Sequence, residues 1–501
     1  MPPDTVPAPC PPWLDALARG LGAECIETPI SWVLLAGEDA YKLKKPVRLP
    51  FVDYTGLQAR RHFCEEEVRL NRRLAPTLYR GVVRVAPGGT AGTAGAPRLL
   101  PGADGPALDY AVHMRRFDQS ALFGAQLEAG TLAASDVDRL AALLANFHAR
   151  QPPAMAAQPA DWGSAARRRL AARAALDGAR AAATAAEQAW LQAWLESEAA
   201  RLAPLWTARR EGGRVREGHG DLHLDNLLCL PGPEGGVAAF DGIEFNAALR
   251  WIDVLDDIAF AVMDLAARGA PGLALRLLNG WLERTGEHGA LPALRFSLAY
   301  RALVRAQVAC LGGAGREATA RRYLDAALAW TRPAGPRLAI THGLPGSGKT
   351  VASQRWLERE GAIRLRSDVE RKRLFGLHAL ADSRAHGLDI YTPDASARTH
   401  AHLLAMARLA LQAGFAVVLD AAFLRRADRA QARALAAELG VPFAILDCAA
   451  PPEVLRARLL ARRGDASEAD TGVLAQLAAS AEPLDGDERA CVVPAPPANG
   501  G

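Results

Sequence analysis

Two stretches of the sequence concentrate polar chemistry. The first, VREGHGDLHLDNLLCL at 215–230, sets two histidines, two aspartates and an asparagine between apolar ends, with Asp221 and Asn226 five residues apart. Asp241, in AFDGIEF, follows fifteen residues after Asn226. The second stretch, THGLPGSGKT at 341–350, satisfies G-x-x-x-x-G-K-[ST], its loop running through Gly343, Leu344, Pro345, Gly346, Ser347, Gly348, Lys349 and Thr350. An apolar run precedes it and a helical pattern follows, which is the setting that gives the match meaning. The glycines let backbone N–H groups converge on phosphate oxygens without interference from a Cβ, and the helix adds its positive end. Lys349 would then bridge the β- and γ-phosphates of ATP while Thr350 holds Mg²⁺. A glycine loop that only turns the chain is the alternative.

Further side chains sit where they could serve the same phosphates. Asp420 closes the apolar run FAVVLD, so a buried strand would carry its carboxylate to the sheet edge, for Mg²⁺ or for orienting the attacking group. It could instead cap the next helix. Ser367 and Asp368 end AIRLRSD in the same way, and there capping and substrate binding are both open. Arg458, Arg462 and Arg463 lie on or just past the last amphipathic helix, where a lid could bring a guanidinium to the γ-phosphate. The alternative for each is a solvated basic face. In HGDLHLD, His219 and His223 are four apart with acids nearby, which also admits a zinc site. The intervening glycine and the strand-like flanks argue against the helix that this spacing needs.

The elements that must position these residues are legible in outline. ISWVLLA and AYKLK read as a strand hairpin, and TGLQARRHFCEEEVRLNRRLA as a helix opening on a Thr-Gly cap. GVVRVAP and DYAVHMRRF read as strands on either side of GGTAGTAGAPRLLPGADGP, a surface loop. DVDRLAALLANFHAR and AAEQAWLQAWLESEAARLAPLW are amphipathic, which assigns Trp190, Trp194 and Trp206 to packing faces. GVAAFDGIEF is a further short strand, and helices continue to about Trp330. TRPAGPR at 331–337 breaks the helical pattern. Beyond it four apolar runs alternate with helices, the sequence form of a parallel sheet covered on both faces.

Composition narrows the class. The 501 residues are 50% hydrophobic and 23% charged, with a net charge of +4 spread over helices that also carry acids. That balance is globular and argues for neither a nucleic-acid nor a membrane partner. No window supplies the roughly 18 apolar residues of a span. The proline-rich start lacks the basic and apolar regions of a secretion signal. Seven cysteines without a C-x-x-C pair read as buried, reduced thiols of a cytoplasmic protein.

HGDLHLDN followed by AFDGIEF resembles the aminoglycoside phosphotransferase and choline kinase branch of the protein-kinase fold, where H-G-D-x-x-x-x-N replaces H-R-D-x-x-x-x-N. The resemblance covers about 30–330 and is strongest over 215–260. It implies that Asp221 is the catalytic base, that Asn226 and Asp241 are Mg²⁺ ligands, and that His219 supports the loop. It also implies a lysine on a strand facing the nucleotide and a glutamate on a helix to hold it. Lys42 and Lys44 in AYKLKK both qualify, and Glu67 in CEEEVRLNRRLA is the glutamate. The sequence departs from the pattern in having no G-x-G-x-x-G before these lysines, Gly37 being the only glycine in the turn. Residues 337–480 resemble the P-loop kinases of small molecules and the zeta-toxin-like ATP-binding proteins, through GLPGSGKT, RSD and VVLDAAFLRR.

The expected architecture is an α+β protein-kinase-like domain at 1–330, a linker at 331–337, and an α/β P-loop domain with a parallel sheet at 338–501. The expected activity is ATP-dependent phosphoryl transfer to small hydroxyl-bearing acceptors, with Mg²⁺ at both sites and no nucleic-acid or membrane partner. Two other readings stand beside it: a regulatory protein whose kinase-like domain senses nucleotide, and a P-loop ATPase acting on a macromolecule.

Overall fold

Successive side chains of a strand point to opposite faces, and that period of two decides which side chains meet on each face of a sheet. The computed structural model describes residues 10–49, 52–88, 95–154, 159, 161–230, 236–333, 335–462 and 464–494. The chain divides into two compact units, Met1–Ser164 with Arg209–Asp257, and Ala165–Ala208 with Ile258–Gly501.

The first unit is built on a six-stranded antiparallel sheet in the order Glu24–Glu27, Ser31–Ala36, Asp39–Lys44, Asp109–Arg115, Tyr79–Gly88 and Gly95–Pro101. One face presents Trp32, Leu34, Leu43, Val85 and Ala111 to Leu14 and Leu17 of the helix Pro12–Leu21. The other face presents Tyr110, Val112 and Met114 to Cys64 and Val68 of the helix Leu57–Asn71. Lys42 stands in register with Val112, so it emerges on the side of that helix. The helix buries Arg60, Cys64, Glu67, Val68, Leu70 and Asn71, and three of the six are polar. It starts after Gly56 with no side-chain cap, unlike the Thr-Gly cap expected. The segment expected as a surface loop between the last two strands contains the edge strand Gly95–Pro101; the apolar pair Leu99 and Leu100 in its second half pairs with Val85 and Arg84.

The remainder of this unit carries the polar stretch. Val215–Glu217 pairs antiparallel with Trp251–Asp253, and Leu227–Leu230 forms a hairpin with Gly236–Ala239. The helix Ala134–Arg150 packs on the second strand of that hairpin.

In the second unit four parallel strands lie in the order Ala362–Arg366, Ala416–Asp420, Leu338–His342 and Phe443–Asp447. Ala416–Asp420 is apolar up to its closing Asp, as burial on both faces requires, whereas the edge strand Ala362–Arg366 carries Arg364 and Arg366. The edge strand Ala362–Arg366 is covered by the helix Pro271–Thr285. The side-chain amide of Asn279 accepts the N–H of Arg364 at 2.7 Å and donates to Ala362 O at 2.9 Å, as a neighbouring strand would. The segment 331–337, expected as a linker, thus lies inside a compact unit. Its residue 334 is outside the described residues.

Two smaller expectations are corrected. Trp190 is half exposed and donates to Thr331 Oγ1 at 3.1 Å, whereas Trp206 is buried as expected. Cys64 and Cys448 are buried, but Cys10 and Cys25 are exposed, and all seven thiols are free. Among the described residues no helix is long and apolar enough to cross a membrane.

Candidate active site

The polar loop of the first unit is held by its backbone. Gly220 has φ +87°, and a Cβ there would meet Leu249 O at 3.0 Å, so the bend before Asp221 needs glycine. The N–H groups of His219 and Gly220 both donate to the buried carboxylate of Asp257, each at 2.9 Å. His219 Nε2 bonds Phe240 O at 2.9 Å, while its Nδ1 accepts the N–H of Asp221 at 3.3 Å. These two bonds set the tautomer and join the loop to the residue before Asp241. Burial pushes the imidazole below its usual range. With both ring nitrogens engaged, His219 offers nothing to a zinc ion, and that alternative falls. Among the described residues no three His, Cys, Asp or Glu side chains gather as a metal cluster.

Asn226 ends the short 3₁₀ turn Leu224–Asn226 and donates its amide to Asp221 O at 2.9 Å and to Asp221 Oδ2 at 3.4 Å. His223, to which the kinase motif assigns no role, accepts the Asp225 N–H at 3.2 Å on Nδ1 and brings Nε2 within 3.5 Å of Asp221 Oδ2. Asp221 and Asn226 are therefore one constellation. Their oxygens, with that of Asp241, are the hard donors suited to Mg²⁺, which takes few protein ligands and completes its shell with water and phosphate.

Lys42, Glu67 and Asp241 form the second constellation. Lys42 Nζ donates to Glu67 Oε1 at 3.1 Å and pairs with Asp241. Asp241 follows the hairpin in the left-handed region at φ +59°, rare outside glycine and tolerated best by Asp and Asn. Its N–H donates to Tyr79 Oη at 3.1 Å, and the next N–H, of Gly242, donates to Asn71 Oδ1 at 2.8 Å. Lys44 also reaches Glu67, at 2.8 Å, but its other partner is Glu244, which Tyr54 Oη bonds at 2.6 Å. Lys44 is 1% exposed and Lys42 17%. Lys42 thus points toward Asp241, and Lys44 serves a buried network. Burial opposes the charge of Glu67, but the two ammonium groups hold its carboxyl down at about 2.

In the second unit the strand Leu338–His342 delivers the chain to the glycine loop, and the helix Lys349–Glu360 leaves it. Gly343 has φ +142°, and a Cβ there would overlap Cys448 O at 2.2 Å. Lys349 Nζ donates to Leu344 O at 2.9 Å, folded back over the loop. Burial draws its ammonium below the usual range. Asp420 ends its strand and accepts from Ser353 Oγ at 3.0 Å, one turn along from Thr350. The next helix, Arg426–Glu438, begins six residues later after Arg425, so Asp420 is no cap. Asp368 lies in the first turn of Ser367–Leu374 and does not cap it, since the N-cap is Arg366 and has no side-chain bond.

Lys349, Thr350, Arg366, Asp368, Asp420 and Arg462 line one cleft of about 1820 Å³. Arg458 donates to Gly346 O at 3.1 Å, and Arg462 approaches Asp465 at 3.5 Å. Arg463 is outside the described residues. Sequence reasoning missed Arg366, although it stands at the same strand end as Asp420 and directly precedes Ser367. It also missed Asp257, Asn71 and Tyr79. No spacing distinguishes Asp257 from Asp253 and Asp256 beside it, and Asn71 and Tyr79 meet Gly242 and Asp241 only through the fold.

The AAA domain family matches residues 338–484. The uncharacterized protein Rv2004c of Mycobacterium tuberculosis is 30% identical over 466 residues, covering 90% of this chain and 89% of that protein. Among solved structures, a gluconokinase from Sinorhizobium meliloti 1021 is 19% identical, covers 32% of this chain and 82% of its own, and has a TM-score of 0.25. A choline kinase from Cryptosporidium parvum Iowa II is 11% identical, covers 62% of this chain and 88% of its own, and has a TM-score of 0.37.

Proposed function

The chain belongs to the family of the mycobacterial protein Rv2004c, and on that premise we propose that it is an ATP-dependent phosphotransferase acting on small hydroxyl-bearing molecules. The observation that carries the reading is the convergence of the loop 343–350, Asp368 and Asp420 on one cleft at the C-terminal edge of a parallel sheet. Ligands of such sheets bind outside the carboxyl ends of the strands. The loop N–H groups and Lys349 bind triphosphate there. Asp368 would accept the proton of an attacking hydroxyl, Asp420 with Thr350 would hold Mg²⁺, which neutralises phosphate charge, and Arg462 would add positive charge for the terminal phosphate.

In the first unit Lys42, positioned by Glu67, takes the nucleotide phosphates, and Asp221 accepts the acceptor's proton. Asn226 and Asp241 would hold Mg²⁺, which neutralises phosphate charge. A second reading, in which this unit senses nucleotide and transfers poorly, is favoured by one feature. The turn between its first two strands is Thr28-Pro29-Ile30, closed by Thr28 Oγ1 on the Ser31 N–H at 2.9 Å, and it has no glycine to let backbone approach phosphate.

Transfer of labelled γ-phosphate from ATP to pools of sugars, amino alcohols and nucleosides tests both readings on the full chain. Lys349→Ala and Asp221→Asn silence one unit each. Label transferred by the Lys349→Ala protein but not by Asp221→Asn assigns transfer to the first unit, and the converse assigns it to the second. Steady ATP turnover with no labelled product from any pool overturns the proposal in favour of an ATPase.

A further inference from the structure

Arg366 ends the edge strand Ala362–Arg366, and each nitrogen of its guanidinium faces a different carboxylate. Nη2 donates to Asp465 Oδ1 at 2.9 Å, Nη1 lies 3.6 Å from Glu283 Oε2, and Nε lies 3.8 Å from Asp420 Oδ2. The three acids come from three segments: the loop after the helix Pro452–Ala461, the helix Pro271–Thr285, and the strand Ala416–Asp420. Glu283 also pairs with Arg364, two residues earlier on the same face of the strand, at 2.6 and 2.9 Å. It is 14% exposed. One carboxylate therefore sits between two like charges that the strand forces to be neighbours.

We infer that Glu283 is a positioning residue of the phosphate cleft, which holds Arg366 off Asp420 and so keeps that guanidinium available to the terminal phosphoryl group of the bound nucleotide. The inference rests on the reading of the cleft as an ATP site. Without the charge on Glu283, the attraction left to Arg366 besides Asp465 is Asp420. Closing that 3.8 Å gap would spend the carboxylate that faces Thr350 through Ser353, and would withdraw a cation from the phosphate. The helix that supplies Glu283 belongs to the sequence before 331. A residue outside the segment 338–484 that the AAA domain family matches thus touches Arg366, which lines the cleft.

The test is calorimetric titration of the full chain with Mg·ATP and with Mg·ADP, counting only binding that Lys349→Ala abolishes. Glu283→Gln is expected to weaken ATP about tenfold and ADP by less than about twofold, the size of one charge-assisted contact to the terminal phosphate. Glu283→Asp should restore most of the loss. Arg366→Met, which leaves the Glu283–Arg364 pair in place, should give the same selective loss, and adding Glu283→Gln to it should cost nothing more. Unchanged ATP binding in Glu283→Gln overturns the positioning role, as do equal losses of ATP and ADP or losses that multiply in the double variant. A wild-type chain with no Lys349-dependent binding overturns the nucleotide reading, and this inference with it.

Discussion

Asp257 accepts the backbone N–H of His219 at 2.9 Å, and the same carboxylate takes Gly220 N–H and His148 Nε2 at 2.9 and 3.0 Å. Burial would raise its pKa, but His148 and the N–H donors hold it well below the usual range. Asp257→Asn would turn an NH₂ toward one of these donors and leave it unpaired. The expected cost is about 2–4 kcal/mol. Thermal denaturation should show it, together with a loss of transfer by the first unit.

Lys42 and Lys44 should separate by phenotype. Lys42→Met is expected to weaken Mg·ATP binding to the first unit while leaving the fold intact, because the ammonium lies at the edge of the site. Lys44→Met strands Glu67 and Glu244 without a shared cation, which for a buried pair costs about 3–5 kcal/mol. Urea denaturation and nucleotide titration on both variants check the contrast.

Asp420→Asn keeps the bond from Ser353 but removes a negative charge from the cleft. The Mg²⁺ concentration for half-maximal transfer by the second unit should rise about tenfold or more, as for loss of one metal ligand. A titration of activity against Mg²⁺ reads it directly.

Acid should destabilise the chain before its carboxylates titrate. His288 is buried beside Glu370, Arg373, Glu283 and His402, and burial lowers its imidazole to about 4. His219 is lowered in the same sense. Between about pH 6.5 and 4 the unfolded chain binds the His288 proton and the folded chain does not, so stability present above 6.5 is lost as the pH falls. For His288 the loss reaches the order of 3 kcal/mol. Melting temperatures across that range should fall, and His288→Gln should flatten part of the slope.

A fragment of residues 338–501 should melt lower than one of 258–501. It lacks Asn279, whose amide satisfies Arg364 N–H and Ala362 O on the edge strand, and it lacks Glu283. Equal melting temperatures would mark 331–337 as a boundary between independently folding domains.

The local pattern foretold much of this. Runs rich in β-formers marked four of the six strands of the first sheet, leaving out Glu24–Glu27 and Gly95–Pro101, and four apolar runs marked the parallel strands. The glycine loop was readable because its demand is local: N–H groups converge only where successive residues lack a Cβ or bend backward, as at Gly343. The edge strand Gly95–Pro101 was hidden by the glycine and proline around it.

By itself the sequence determined the chemistry in reach of each loop: Asp221 with Asn226, and Lys349 with Thr350, are neighbours along the chain, so their spacing is their geometry. Only the tertiary structure gives Lys42 and Lys44 different partners. Two residues on one face of a strand are equivalent until Asp241 and Glu244, about 200 positions away, arrive beside them. The same holds for Asp257, Arg366 and Glu283. Each is an ordinary charged residue on a helix or strand, and its function comes from carboxylates and donors that distant segments bring within hydrogen-bonding or ion-pairing reach, where burial makes every charge depend on its partner.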